Sequence, residues 1–159
     1  MAELGETLAA KEITVRPLHT SHAFHSAMMD PVVEPFTEAV AGTPLAAPGL
    51  PFVSCVTGRP ITAELATDPQ YWGTHLRRPV RFADAVRTAI GDGPAVLVEV
   101  GPGNTLSTLA RAGAGTGGPR CAAVTTLRRP DEAADDGQVL RTAVGDIWLF
   151  GGAVDWPAL

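Results

Sequence analysis

Apolar positions along the chain follow two rhythms, one of helical period and one of alternating or continuous β-type runs. Met29, Val32, Val33, Phe36 and Val40 recur at helical spacing, which predicts a helix over 26–42 with Ser26 as N-cap and Gly42 as its stop. Pro31 is tolerable in a first turn, whereas Pro35 is expected to kink or interrupt the helix. Further helices are predicted over 3–11, from the Asp68–Pro69 cap through "TDPQYWGTHL", over "RFADAVRTAIGDG", after "GPGN", and over "GQVLRTAVGDIWLFGG". In the last of these, Leu140, Val144, Ile147 and Trp148 are expected on one side. Strands are predicted at "ITVRPLH" (13–19), "PFVSCVTG" (51–58), "AVLVEV" (95–100) and "RCAAVTTL" (120–127). The uninterrupted apolar run of 95–100 is the pattern of a strand buried on both faces. Helices alternating with short β runs give an α/β class with a partly parallel sheet and no internal repeat.

Composition narrows the function classes. A chain of 159 residues, 45% apolar and 18% charged, can bury about 70% of its unfolded surface and is globular. A net charge of -5 argues against nucleic acid or an anionic membrane as the main partner. "MAELGETLAAKEI" lacks the basic and apolar regions of a secretory signal, and no run reaches bilayer length. A cytoplasmic protein is therefore expected, with Cys55 and Cys121 as reduced core thiols. The acidic "PDEAADD" (130–136) reads as a solvated linker.

Three of the four histidines, His19, His22 and His25, stand three residues apart in "LHTSHAFHS". A metal site, one base with bystanders, and coincidence all fit that spacing. A strand running into a turn points the three rings in different directions, and no Asp, Glu or Cys lies near in sequence. The order of strand, "HAFH" and Ser-capped helix would place one imidazole at the mouth of a sheet, where it can exchange protons near neutral pH.

"SHAFHSAMMDP" resembles the active-site histidine segment of malonyl-CoA:acyl carrier protein transacylases, above all the acyltransferase domains of modular polyketide synthases. "PFVSCVTGRPIT", "DPQYWGTHLRRPVRFADAV" and "VLVEVGPGNTLSTLAR" continue the likeness, and the ending resembles the linker that follows such domains. The resemblance implies transfer of a malonyl unit from coenzyme A through an acyl-serine to the phosphopantetheine thiol of a carrier protein, with no metal and no covalently bound cofactor. It assigns His25 as general acid/base, the main-chain carbonyl of His75 as the group orienting it, and His22 and Phe24 to the acyl pocket. The "HAFH" signature goes with malonyl units. Phe24 would fill the space beside the acyl C2, a preference worth about 1–3 kcal/mol.

The same resemblance implies a C-terminal portion of an α/β-hydrolase-like core. Residues 1–19 would be the end of a small ferredoxin-like subdomain, 20–127 the core portion and 128–159 the linker. The family's nucleophile sits in a GxSxG elbow. None of Ser21, Ser26, Ser54 and Ser107 stands in one, and the family's arginine and glutamine have no counterpart here. The chain alone is thus expected to be inactive and poorly stable. Its expected partners are the N-terminal half of the domain, neighbouring synthase domains and the carrier protein. A non-catalytic piece packing against other synthase domains is the alternative. "GPGN" reads as a structural turn, not a phosphate loop, and "LRRPVR" as a solvated basic face. Cys55 replaces the asparagine usual in the family's "SNVTG".

Overall fold

A computed structural model describes residues 2–15, 20–113 and 121–158. Helix α1 (Ala2–Ala9) is followed by irregular chain. Of the expected strand at 13–19, residues 13–15 carry no regular structure and 16–19 lie outside the described residues. A single 3-10 turn (Ala27–Met29), capped by Ser26, runs into α2 (Asp30–Ala41). This helix continues through Pro35, contrary to the expected interruption. The lost backbone bond lies in the first half of the helix, and packing against α4 holds the rest.

Helices α3 (Ala63–Ala66), α4 (Pro69–Arg77) and α5 (Phe82–Ile90) come next. Asp68 caps α4 by accepting the Gln70 N–H at 2.9 Å, with Pro69 opening the helix. The strand expected at 51–58 is not formed. Ser54 Oγ accepts the N–H groups of Val56 and Thr57, and Gly58 adopts φ 69°, so the chain reverses at Ser54. Only an isolated antiparallel bridge between Val53 and Pro60 remains. A side-chain hydroxyl here offers the backbone a turn in place of a ladder.

Strands β1 (Ala95–Pro102) and β2 (Cys121–Leu127) form a two-stranded parallel sheet joined through α6 (Thr105–Gly113). Their register pairs Ala95 with Cys121 and Val98 with Val124, and breaks between Glu99 and Pro102. Helix α7 (Asp136–Leu149) and α6 pack on β2, and α5 on α6. Asp135 caps α7 and Asp136 pairs with Arg128, so the acidic linker is partly structural. The row facing inward on α7 centres on Ala143, while Leu140 and Trp148 are exposed and Trp148 meets Trp156 edge-on.

β1 is not buried on both faces as its sequence suggested. Among the described residues it pairs with one strand, β2, and Val100 is 85% exposed. A continuous apolar run reports the environment a strand is built for, which needs strands or helices beyond those described here. The buried apolar side chains are mostly alanines, joined by Met29, Tyr71 and Val124.

Candidate functional site

His25 sits in a tight turn made by its neighbour. Ser26 Oγ donates to the Ala23 carbonyl at 2.6 Å and accepts the Met28 N–H at 3.2 Å. The turn carries His25 at φ 59°, a left-handed conformation that non-glycine residues rarely adopt. Such a conformation costs about 1–3 kcal/mol and persists where surrounding contacts dictate it.

Those contacts come from the C-terminal end of α4. His25 Nδ1 lies 3.1 Å from the His75 carbonyl oxygen and 3.0 Å from that of Arg78. Both carbonyls are open for a local reason. In a continuing helix the His75 carbonyl would accept the N–H of residue 79, but residue 79 is Pro79 and has none. The residue before a proline is driven out of the helical region, and Arg78 accordingly adopts φ -78°, ψ 149°. Carbonyls only accept, so this geometry puts the neutral ring's proton on Nδ1. The lone pair is then on Nε2, which has no hydrogen-bond partner among the described residues. Reading the sequence by resemblance singled out the His75 carbonyl and missed Arg78. The "HLRRP" spacing carried a signal for both.

α4 is itself anchored. Tyr71, one turn before His75, is 5% exposed and donates its hydroxyl to Ser54 Oγ at 2.7 Å. Ser54 is 1% exposed. Trp72 Nε1 donates to the Ala66 carbonyl at 3.1 Å. Arg77 at the end of α4 pairs with Asp30 at the start of α2. The His75 ring meets that of His25 edge-on at 5.9 Å. Burial, and then the positive charge His25 carries when protonated, hold the His75 imidazole below its ordinary range. The Tyr71–Ser54 bond was not legible in the sequence, because the two residues are joined only by folding.

His22 and Phe24 lie on the surface, their rings 6.2 Å apart and edge-on, and Phe24 is 52% exposed. His22 Nδ1 is 2.9 Å from Ser21 Oγ, a contact between adjacent residues without a third group to orient it. His19 lies outside the described residues. No group of three or more His, Cys, Asp or Glu side chains converges among the described residues. Cys55 and Cys121 are free and half-buried, and the Cys55 position serves the fold through its carbonyl, which accepts the Arg81 N–H at 2.8 Å.

The "GPGN" turn opens α6, whose first donors are already engaged. Glu99 accepts the Leu106 N–H at 3.1 Å and the Ser107 N–H at 2.8 Å. Burial pushes the Glu99 carboxyl up, but these bonds outweigh it and hold the group below its ordinary value. A carboxylate thus fills the place a phosphate would take at a helix N-terminus. In "LRRPVR", Arg77 and Arg81 are paired with Asp30 and Asp84.

Comparison with known proteins converges on one family. Residues 1–147 match the family described as the acyl transferase domain. Polyketide synthase GfsA of Streptomyces halstedii is 43% identical over 143 residues, covering 90% of this chain and 2% of that protein. Polyketide synthase GfsB of the same organism is 37% identical over 168 residues, covering 100% and 3%. Among solved structures, the acyl transferase domain of SpnD, in complex with 2-(pent-4-yn-1-yl)malonyl, superposes with a TM-score of 0.82 at 38% identity, over 94% of this chain and 36% of that one. The acyltransferase domain from the second module of the salinomycin polyketide synthase gives 0.80 at 32% identity, over 99% and 35%.

Proposed function

The chain belongs to the acyl transferase domain family, and on that premise we propose that it is the C-terminal part of a polyketide synthase acyltransferase domain acting on malonyl-CoA and a carrier protein. The observation that carries this reading is the His25 ring, its Nδ1 against two main-chain carbonyls and its Nε2 without a partner among the described residues. A base of this kind needs one nitrogen held so that the other faces the nucleophile.

The nucleophilic serine comes from another stretch of polypeptide, since none of the four serines here stands in a GxSxG turn. Its hydroxyl attacks the thioester carbonyl while His25 Nε2 takes the proton. Collapse of the tetrahedral intermediate breaks the C–S bond, and the imidazolium returns the proton to the departing coenzyme A thiolate. The phosphopantetheine thiol then attacks the acyl-serine by the reverse proton path, restoring the serine. Phe24 and His22 border the acyl pocket, where Phe24 disfavours a branch at C2 by about 1–3 kcal/mol. The SpnD domain, described with a C2-substituted malonyl group, supports a malonyl-type acyl group.

The remainder of the domain covers surfaces that this chain leaves open. Among the described residues β1 has one unpaired edge, and Phe24, Met28, Val32 and Phe36, four residues apart, are exposed and begin beside His25. These fit a hydrolase-like core that continues across β1, with 1–19 closing a ferredoxin-like subdomain, 20–127 in the core and 128–159 as linker. The SpnD domain is nearly three times the matched length, which supports a domain larger than this chain.

The test pairs this chain with a polypeptide carrying the remainder of the SpnD acyl transferase domain and measures transfer from malonyl-CoA to a phosphopantetheinylated carrier protein. His25→Gln is expected to lower the rate by about 10²–10⁴-fold. An assembled domain in which His25→Gln transfers at the parental rate would overturn the assignment.

A further inference from the structure

Gly73 lies inside α4, where glycine is disfavoured relative to alanine. Its backbone is not left-handed, so conformational freedom does not explain it. Space does. Gly73 is buried against α2, and a Cβ built on it would overlap Thr37 Oγ1, with Val33 Cγ1 next at 3.4 Å. Thr37 is buried too, its Oγ1 donating to the Val33 carbonyl at 2.8 Å. Rotating it away would strand a buried hydroxyl. The contact therefore sets how near α4 approaches α2.

That spacing reaches the histidine directly. α2 continues the turn that carries His25, and α4 ends in the carbonyls that hold its Nδ1. The Asp30–Arg77 pair joins the same two helix ends. Gly73 is two residues from His75, so a side chain wedged at Gly73 would push the carbonyls away from the ring. At 3.0–3.1 Å the hydrogen bonds have little slack.

We propose that Gly73 is a positioning residue: the close approach of α4 to Thr37 on α2 that its missing side chain permits fixes the tautomer of His25. The inference rests on the reading of His25 as the proton-transfer group for its functional meaning, though its physical consequence is independent of catalysis. With carbonyls in reach the neutral ring carries its proton on Nδ1; with them withdrawn the preference is lost.

The tautomer ratio is read from long-range proton–nitrogen correlation spectra of the nitrogen-15-labelled chain, above the pH at which the ring protonates. Gly73→Ala is expected to lower the Nδ1–H to Nε2–H ratio of His25 by roughly tenfold, the worth of one hydrogen bond. Thr37→Ala alone leaves it unchanged, and Gly73→Ala with Thr37→Ala restores it, because the overlap is gone. A folded Gly73→Ala variant with the parental ratio overturns the proposal. Where Gly73→Ala does not fold, the double variant decides: folding with the parental ratio supports the proposal, while an altered ratio or continued failure to fold overturns it. If the ratio responds as stated but His25→Gln leaves acyl transfer intact in the assembled domain, the positioning stands and the catalytic reading falls.

Discussion

The histidine corner and the sheet half of the molecule meet their hydrogen-bonding needs in opposite ways. Around His25 the groups that matter are satisfied within the chain: α4 carbonyls opened by Pro79 meet the ring, and Ser54 meets Tyr71. No buried side-chain nitrogen or oxygen among the described residues lacks a partner. In the sheet half, β1 has one edge unpaired among the described residues and presents Val98 and Val100 to solvent. Unpaired strand edges are templates for another chain. The support of the candidate base is thus local to this polypeptide, while the surface that would bring it a nucleophile is left for something else to cover.

The sharpest way to break that contrast is Ser54→Ala. It strands the Tyr71 hydroxyl and the Val56 and Thr57 N–H groups in a buried site, and is expected to lower stability by about 1–3 kcal/mol in urea unfolding. An effect near zero would mean that the corner is not held by its own network.

Glu99 tests the sheet half, where one carboxylate on β1 caps α6. Glu99→Ala is expected to cost about 1 kcal/mol by the same measurement, the usual worth of a cap. The pH dependence has a definite sign. A carboxyl held below its ordinary value binds fewer protons folded than unfolded, so stability is present above about pH 4.5 and falls as pH drops through the folded value. Glu99→Gln should flatten that acid limb.

The smallest expected effect on this chain alone is at the open edge. Val100→Asp, on a side chain 85% exposed, should change its unfolding free energy by less than about 0.5 kcal/mol. The same substitution should weaken association with the remainder of a domain by about tenfold, read by titration calorimetry. Substantial destabilisation of the lone chain would show that Val100 already has a partner here.

What was legible in the sequence divides along physical lines. Local chemistry could be read directly: the Asp68–Pro69 cap, Gly91 ending α5, and the β runs at 95–100 and 120–127, which overlap β1 and β2. Each depends on groups within a few residues of one another. The strand expected at 51–58 failed because the Ser54 hydroxyl competes with ladder pairing, an outcome decided by which partner the backbone finds. The inward row of α7 moved to Ala143 because helical period states that a face is buried, not which neighbour buries it.

The sequence by itself determined the longer helices and the two paired strands, that a proline four residues after His75 would leave a carbonyl open, and that no elbow serine is carried here. Only the tertiary structure decided that this carbonyl and that of Arg78 meet a ring fifty residues away, and that Gly73 lets α4 seat on α2 closely enough for them to do so. The reason is range. Caps and backbone preferences act across neighbouring residues, whereas the distance between a ring and a carbonyl is fixed by helix packing, to which residues far apart in sequence contribute jointly.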